Sequence, residues 1–344
     1  MLGRKSSEPQ RLRSKSTRRR KDPALATRAL ERAGARRHWL IWAAAIPLAL
    51  WTLVRAFGLE DGGLLTTAMF FTPYAAIAAL LVAGVAVALR NWAAAAVAAL
   101  ATACLAAAVL PRAIGSETVQ ASGHETLTVL SANVYFGRAD PAALVALVDR
   151  YAADLLSVQE LTPSFARRLG RAGLGRRLPS SVLMTRPSGR GGGLYARFPL
   201  TPLRRQTHFL FRMPRALMVL PDGRRLRLVA VHPQPPNMSV EQWRGALESL
   251  PEPGTGNPWL LVGDFNASFD HAEFRDLVDS GYRDAGDAAG KGLEPTWTGP
   301  DEAPRGLITI DHVLADRRLG IVDYGVDDLP GSDHRAVHAR LVLP

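Results

Sequence analysis

The chain has 344 residues, 47% of them hydrophobic, one cysteine, and a formal net charge of +11 from 42 Lys and Arg against 31 Asp and Glu. A single thiol, Cys104, excludes an intramolecular disulfide scaffold and a cysteine-ligated zinc site. The charge would suit nucleic acid or an anionic membrane if it covered a folded surface, but residues 1–37 hold 13 basic and 3 acidic residues, residues 38–115 hold 3 and 2, and residues 116–344 hold 26 of each. The excess therefore lies in the N-terminal tail. The C-terminal part is neutral, which removes the whole-chain argument for a nucleic-acid-binding protein.

The tail, 1–37, is Arg-rich and poor in large apolar residues. It cannot offset its ordering entropy and is predicted to be a disordered, solvated segment. Three apolar stretches follow within 38–115, at 39–59, 64–89 and 92–111. The first has one charged residue, Arg55, near its end, and the other two have none. About 20 residues suffice to cross the hydrocarbon core, so each stretch is predicted to be a transmembrane helix. A soluble three-helix bundle would need polar faces that are missing. Trp39, Trp42, Trp51 and Trp92 suit the interfacial aromatic belt. No cleaved signal peptide is expected, because the basic region is too long and no small-residue cleavage site follows it. Cys104, flanked by alanines in mid-span, is expected to be a packing residue. The basic tail predicts a cytoplasmic N-terminus, and three crossings then put 116–344 on the extracytoplasmic side. The acidic turn Glu60-Asp61 agrees with that orientation, whereas Arg112 at the outer end runs against it.

Beyond Thr126 short apolar runs alternate with amphipathic segments. LTVLSAN (127–133), LLSVQ (155–159), SVLMT (181–185), LRLVAVH (226–232), WLLVGDF (259–265) and LITIDHVL (307–314) read as buried strands. Residues 141–151, following the N-cap Asp140, and residues 239–250 and 271–280 read as helices. Strands mixed with crossover helices over this length predict one α/β domain, 116–344.

Polar residues fall at or just past the ends of those runs: Asn133, Glu160, His232, Asp264, Asn266, Asp311, Asp333 and His334. Side chains on strand ends are held rigidly and can converge on one mouth. Carboxylates and an amide are hard oxygen ligands of the kind Mg²⁺ prefers, with Mn²⁺ as the alternative, and imidazoles beside them can hold or move a proton. No serine or cysteine sits in a nucleophile elbow, and no glycine-rich ATPase loop is present. The set points to metal-assisted attack of water on a phosphate ester. Singly, His208, His271, His312 and His338 read as structural, and Trp297 as core.

The ordered series SANVYFG (131–137), SVQE (157–160), VAVHPQPP (229–236), VGDFNAS (262–268), PTW (295–297), TIDHVL (309–314) and GSDHRAV (331–337) resembles the endonuclease/exonuclease/phosphatase superfamily. The resemblance covers 126–344 and implies a DNase I-like α/β sandwich of two mixed sheets. It implies that Glu160 is the principal Mg²⁺ ligand, with Asn133 and Asp333 supporting the metal site. It further implies that Asp264 orients or activates the attacking water, Asn266 holds a phosphate oxygen, His334, oriented by Asp311, contacts the scissile phosphate or acts as base, and His232 assists leaving-group protonation. The tyrosine that abasic-site enzymes set against the phosphate has no counterpart here.

The fold does not choose the substrate. Residues 161–221 hold 12 Arg and no acidic residue, which reads either as a solvated surface or as a basic rim for an anionic substrate or lipid headgroups. The tether favours a lipid-linked or cell-envelope phosphate over nucleic acid, with a membrane-tethered extracellular endonuclease or exonuclease as the alternative. The arrangement of three spans and an outer domain is also similar to the membrane proteins of this superfamily associated with teicoplanin resistance. A non-catalytic anchored binding module would predict erosion of the catalytic set, and none is seen.

Overall fold

The computed structural model describes residues 23–115, 118–121, 123–204, 209–299 and 306–344, with the backbone course alone for 23–35. The first half of the basic tail, 1–22, lies outside the described residues. The remainder is helical, since α1 runs over Pro23–Phe57. The tail's Ala, Leu, Arg and Glu residues are good helix formers that extend a helix already nucleated by its apolar part, and this corrects the expectation of disorder up to residue 37.

The second apolar stretch is broken. Helix α2 (Gly63–Met69) meets α3 (Thr72–Ala88) at 76°. Pro73 sits in the first turn of α3 and cannot donate to the Met69 carbonyl, and the Thr72 hydroxyl takes that acceptor instead at 2.8 Å; a proline there starts a new helix rather than continuing the old one. Helix α4 (Trp92–Val109) opens on its N-cap Asn91 and runs into the 3₁₀ turn Leu110–Ala113.

The packing of these helices is inverted relative to a water-soluble core. Ala45, Ala75, Ala79, Ala83, Ala86, Ala94, Ala98 and Ala101 are buried between α1, α3 and α4, while Ile77, Leu80, Leu81, Val85 and Leu100 face outward. Small residues let helices approach closely inside a bilayer, where large apolar side chains face lipid at no cost. Arg36–Phe57 and Trp92–Ala113 are each long and apolar enough to cross a membrane, and the bent pair is a third candidate crossing. Cys104 is exposed on the outer face of α4, not packed between helices as expected.

The remainder is a sandwich. In chain order its elements are β1 (Thr126–Asn133), α5 (Pro141–Arg150), β2 (Leu155–Gln159), α6 (Pro163–Arg171), α7 (Leu174–Arg177), β3 (Ser180–Met184), β4 (Gly192–Ala196), β5 (Leu200–Pro202), β6 (Arg215–Val219), β7 (Arg225–Val231), α8 (Val240–Glu248), β8 (Trp259–Asp264), α9 (Ala272–Asp279), β9 (Tyr282–Asp284), α10 (Ala285–Ala288), β10 (Asp311–Asp316), β11 (Gly320–Asp327) and β12 (Ala336–Val342). One sheet has the order β11-β12-β1-β2-β4-β3 and the other β5-β6-β7-β8-β10-β9. Both are mixed, with β1 parallel to β2 and β7 parallel to β8.

Strand alternation sorts the core into layers. Leu127, Val129, Leu228, Leu260 and Val262 meet between the sheets. Leu130, Leu156, Leu144 and Phe165 pack the first sheet beneath α5 and α6, and Val229, Leu261, Trp243 and Phe274 pack the second beneath α8 and α9. The run 307–314 is a strand only from Asp311. Its first half makes an isolated bridge from Ile308 to Trp297.

Candidate active site

Four strands finish on one edge of the sandwich. The registers pair Asn133 with Gln159 and Val231 with Gly263, so Asn133, Glu160, His232 and Asp264 stand at, or one residue past, the ends of β1, β2, β7 and β8. Strand β10 runs antiparallel to β8 and starts with Asp311 opposite Asp264, and β12, antiparallel to β1, begins two residues after His334.

The sheets are drawn together here by a buried polar chain. The Ser131 hydroxyl donates to Gln159 Oε1 (3.3 Å), Gln159 Nε2 donates to the Ser157 hydroxyl (2.8 Å), and that hydroxyl donates across the sandwich to the Val262 carbonyl (2.9 Å). Gly263 makes room for it. At φ 155° a Cβ would stand 2.1 Å from the Val231 carbonyl oxygen and 2.8 Å from Gln159 Nε2.

At the centre Asn133 Nδ2 donates to Asp264 Oδ2 at 3.0 Å and lies 3.5 Å from His334 Nε2. His334 Nδ1 meets Asp311 Oδ2 at 2.9 Å, and its Nε2 faces Asp264 at 3.7 Å. His232 Nε2 is 3.6 Å from the same Asp264 oxygen. The Asn266 backbone N–H donates to Asp264 Oδ1 at 2.8 Å, and its side-chain amide donates to the Pro233 carbonyl at 3.1 Å. The Glu160 carboxylate accepts the Phe136 N–H at 2.6 Å. Asp333 accepts the Trp297 indole N–H at 3.3 Å. Glu160 and Asn266 both hold left-handed backbone, φ 57° and 46°, a conformation that in non-glycine residues costs about 1 to 3 kcal/mol and is concentrated at functional sites.

The two imidazoles are opposite in charge state. Burial opposes the charge on His334, but the Asp311 and Asp264 carboxylates outweigh it and hold the ring up at about 10. Burial takes His232 down to about 3, helped by the charge on His334. His334 thus holds a proton while His232 is neutral, which does not suit His232 to the leaving-group protonation implied by the resemblance. Burial also pushes Asp264 up to about 7, against the pull of His334, and raises Glu160 and Asp333, each further raised by a neighbouring carboxylate.

Three buried polar atoms on this edge have no partner: Asp311 Oδ1, Asp333 Oδ1 and His232 Nδ1. Such groups normally mark a place where an ion, water or ligand completes the set. Asp264, Asp311 and His334 each bring a potential ligand atom within 4.8 Å of the others, but His334 could join a metal there only as the neutral ring. The carboxylates of Glu160 and Asp333, raised by burial and further by Asp333 and Asp311 respectively, also fit a hard divalent cation.

All eight residues expected from the sequence lie in this cluster. Gln159 and Trp297 were missed as parts of it. Trp297, expected in the core, is only partly buried, since its ring packs on Phe70, Ile308 and Ile310 while its N–H holds Asp333. The indole in PTW so close before TIDHVL was the available signal. His312 is structural as expected, held by Asp284 Oδ2 (2.9 Å) and the Ala267 carbonyl (3.1 Å), and so is His338, stacked on Tyr151. His271 lies between Ser268 and α2, and His208 lies outside the described residues. Several arginines of 161–221 are engaged structurally, Arg177 with Asp149 and Arg197 with Asp154.

Two mixed sheets, flanked by helices, with carboxylates, amides and imidazoles gathered on one edge define the DNase I-like class. The pattern of the Endonuclease/Exonuclease/phosphatase family matches residues 130–334, and the chain belongs to that family, whose members are generally phosphoric ester hydrolases. Similar solved structures include a humanized D. rerio TDP2 (17% identity over 63% of this chain and 98% of that one, TM-score 0.50). Others are TDP2 from C. elegans (16%, 63% and 75%, TM-score 0.50) and a family protein from Bacteroides thetaiotaomicron (18%, 64% and 99%, TM-score 0.48). At these identities the likeness is one of fold. No curated protein matches the chain.

Proposed function

We propose that the protein is a membrane-anchored, Mg²⁺-dependent phosphodiesterase or phosphatase that hydrolyses a lipid-linked or cell-envelope phosphate ester on the extracytoplasmic side, with its N-terminus in the cytoplasm. One observation carries the lipid reading: the short bent segment beside α3 touches three of the segments that border the catalytic set, those following His232 and Asp264 and the one that holds Trp297. A Cβ on Gly63 of α2 would lie 3.7 Å from the Pro236 carbonyl in the loop after His232. The Thr66 carbonyl of α2 bonds His271 at 2.9 Å, in the loop after Asp264 and Asn266. Phe70 packs with Trp297, which holds Asp333. With α3 crossing the bilayer, α2 lies nearly along its surface, exposing Leu64, and Phe71 and Tyr74 are exposed just beyond it. This supports a substrate presented from the membrane.

In the proposed mechanism Glu160, Asp333 and Asn133 hold the divalent cation. When bound, Mg²⁺ would neutralise charge on the phosphate oxygens in the transition state. Asp264 is tuned near neutrality by burial, orients the attacking water and accepts its proton. The His334 imidazolium, fixed by Asp311, faces the phosphate and stabilises its developing charge. Asn266 donates to a phosphate oxygen, and neutral His232 offers only a hydrogen bond to the leaving oxygen, which takes its proton from solvent water.

The full-length protein in lipid nanodiscs, with Mg²⁺ or with EDTA, tests this on polyprenyl phosphates, phospholipids and DNA. Metal-dependent turnover of a lipid phosphate is expected. DNA cleavage without lipid turnover would replace the reading with the membrane-tethered nuclease. A cellular phenotype unaffected by Glu160→Ala and His334→Ala would favour a binding module. A reporter fused after Pro344 and active only in the cytoplasm would refute the orientation.

A further inference from the structure

Two membrane helices reach one carboxylate of the catalytic domain. Asp270 is 1% exposed. Arg112, in the turn after α4, grips it with both terminal nitrogens, at 2.8 Å to Oδ2 and 2.6 Å to Oδ1. Arg55, in the last turn of α1, donates to Oδ1 at 2.9 Å and to the Phe269 carbonyl at 3.3 Å. The Arg112 guanidinium also stands over the Phe269 ring. These are the two arginines at the ends of the spans on the side of the domain, and Arg112 is the one that runs against the charge rule for orientation.

Asp270 lies on the segment that leaves β8, six residues after Asp264 and four after Asn266. Asp264 fixes one end of this segment in the sheet. At the other end the Asp270 N–H bonds the Ser268 hydroxyl, and the Ser268 N–H bonds His271 Nδ1, so the segment is tied internally. Asn266 keeps its left-handed backbone between these two fixed points. A joint that only had to stick could be apolar, because burying ions returns little net stability. A bidentate Arg–carboxylate pair instead fixes direction and distance.

We propose that Asp270 is a positioning residue: gripped by Arg55 and Arg112, it holds the 264–270 segment, and with it the Asp264 carboxylate and Asn266 amide, in catalytic register. The membrane helices are thereby part of the support of the active site. The inference requires a hydrolase site but not a lipid substrate.

The test uses the full chain in nanodiscs with Mg²⁺ and a soluble ester, bis(p-nitrophenyl) phosphate, reading kcat, KM and the hydrogen exchange of amides 264–271. Asp270→Asn and Arg112→Gln are each expected to lower kcat about 10-fold or more with KM within twofold, and to speed exchange in that segment. The double variant is expected to be no worse than the poorer single one. Arg55→Gln, which leaves the bidentate pair intact, is the milder variant should the others fail to fold, with a several-fold fall in kcat and faster exchange expected. Unchanged kcat and exchange in the variants that fold would overturn the proposal, as would losses that multiply in the double variant. If the soluble ester is not turned over, exchange decides alone: faster exchange in 264–271 supports the proposal, and unchanged exchange overturns it. A failure of lipid-phosphate hydrolysis leaves this result untouched.

Discussion

His334 Nδ1 and Asp311 Oδ2 stand 2.9 Å apart, both buried, on chain segments that belong to different sheets. The pair joins the two halves of the sandwich at the site and supplies the counter-charge that keeps the ring protonated. Asp311→Asn retains the shape and removes that charge. A fall in kcat of about 10²- to 10⁴-fold is expected, with little change in thermal midpoint, measured by initial rates beside thermal unfolding.

Glu160 is held by the Phe136 N–H on a left-handed residue, so its direction is set before any cation arrives. Glu160→Gln keeps the hydrogen bond and loses the charge. Apparent Mg²⁺ affinity is expected to weaken by about 10- to 100-fold, read from titration of activity after EDTA treatment. Wild-type activity should return when the metal is added back.

Gly263 should tolerate no side chain. Gly263→Ala drives a methyl group against the Val231 carbonyl and the Gln159 amide, and overpacking of this kind costs about 1 to 3 kcal/mol. The expected outcome is a lower denaturation midpoint together with lost activity, because the displaced Gln159 adjoins Glu160. Urea unfolding followed by tryptophan fluorescence checks the first part.

The Arg55–Asp270–Arg112 joint has its own pH signature. Burial alone would raise the Asp270 carboxyl, but Arg112 and Arg55 outweigh it and hold it below the usual carboxylate range. A group with a depressed folded pKa adds stability above its unfolded value of about 3.9 and loses it as pH falls through the folded pKa. The contribution of Asp270 to docking should therefore stay constant from about pH 8 to about 5 and fade only below about 4, apart from the separate titrations of Asp264 and His271 in the same segment. Exchange rates of 264–271 against pH, compared between wild type and Asp270→Asn, test this, and the variant should lack that acid limb.

The sandwich was legible because its central strands carry unbroken apolar runs: β1, β2, β7 and β8 lie where LTVLSAN, LLSVQ, LRLVAVH and WLLVGDF sit. The outer strands were not. β5 and β9 are three residues each, too short for a period to show, and β11 carries charges on an exposed edge. The candidate cluster was legible because its polar residues stand at, or within two or three residues of, the ends of apolar strands. The charge states of His232 and His334 were not, since they depend on how many carboxylates each ring meets after folding. The break at Phe70 had a local cause, Pro73, but nothing in 64–89 says that the shorter piece turns toward the catalytic loops.

On the proposed function, that turn changes the quantity to which turnover responds. If α1, α3 and α4 cross a bilayer as proposed, α2, fixed against the segments beside the site, gives the working edge a set height above the lipid. A lipid-held substrate is then met by lateral diffusion, and turnover follows its number per unit area. Diluting such a substrate with inert lipid at constant bulk concentration should slow the reaction, whereas diluting the vesicles in buffer should not.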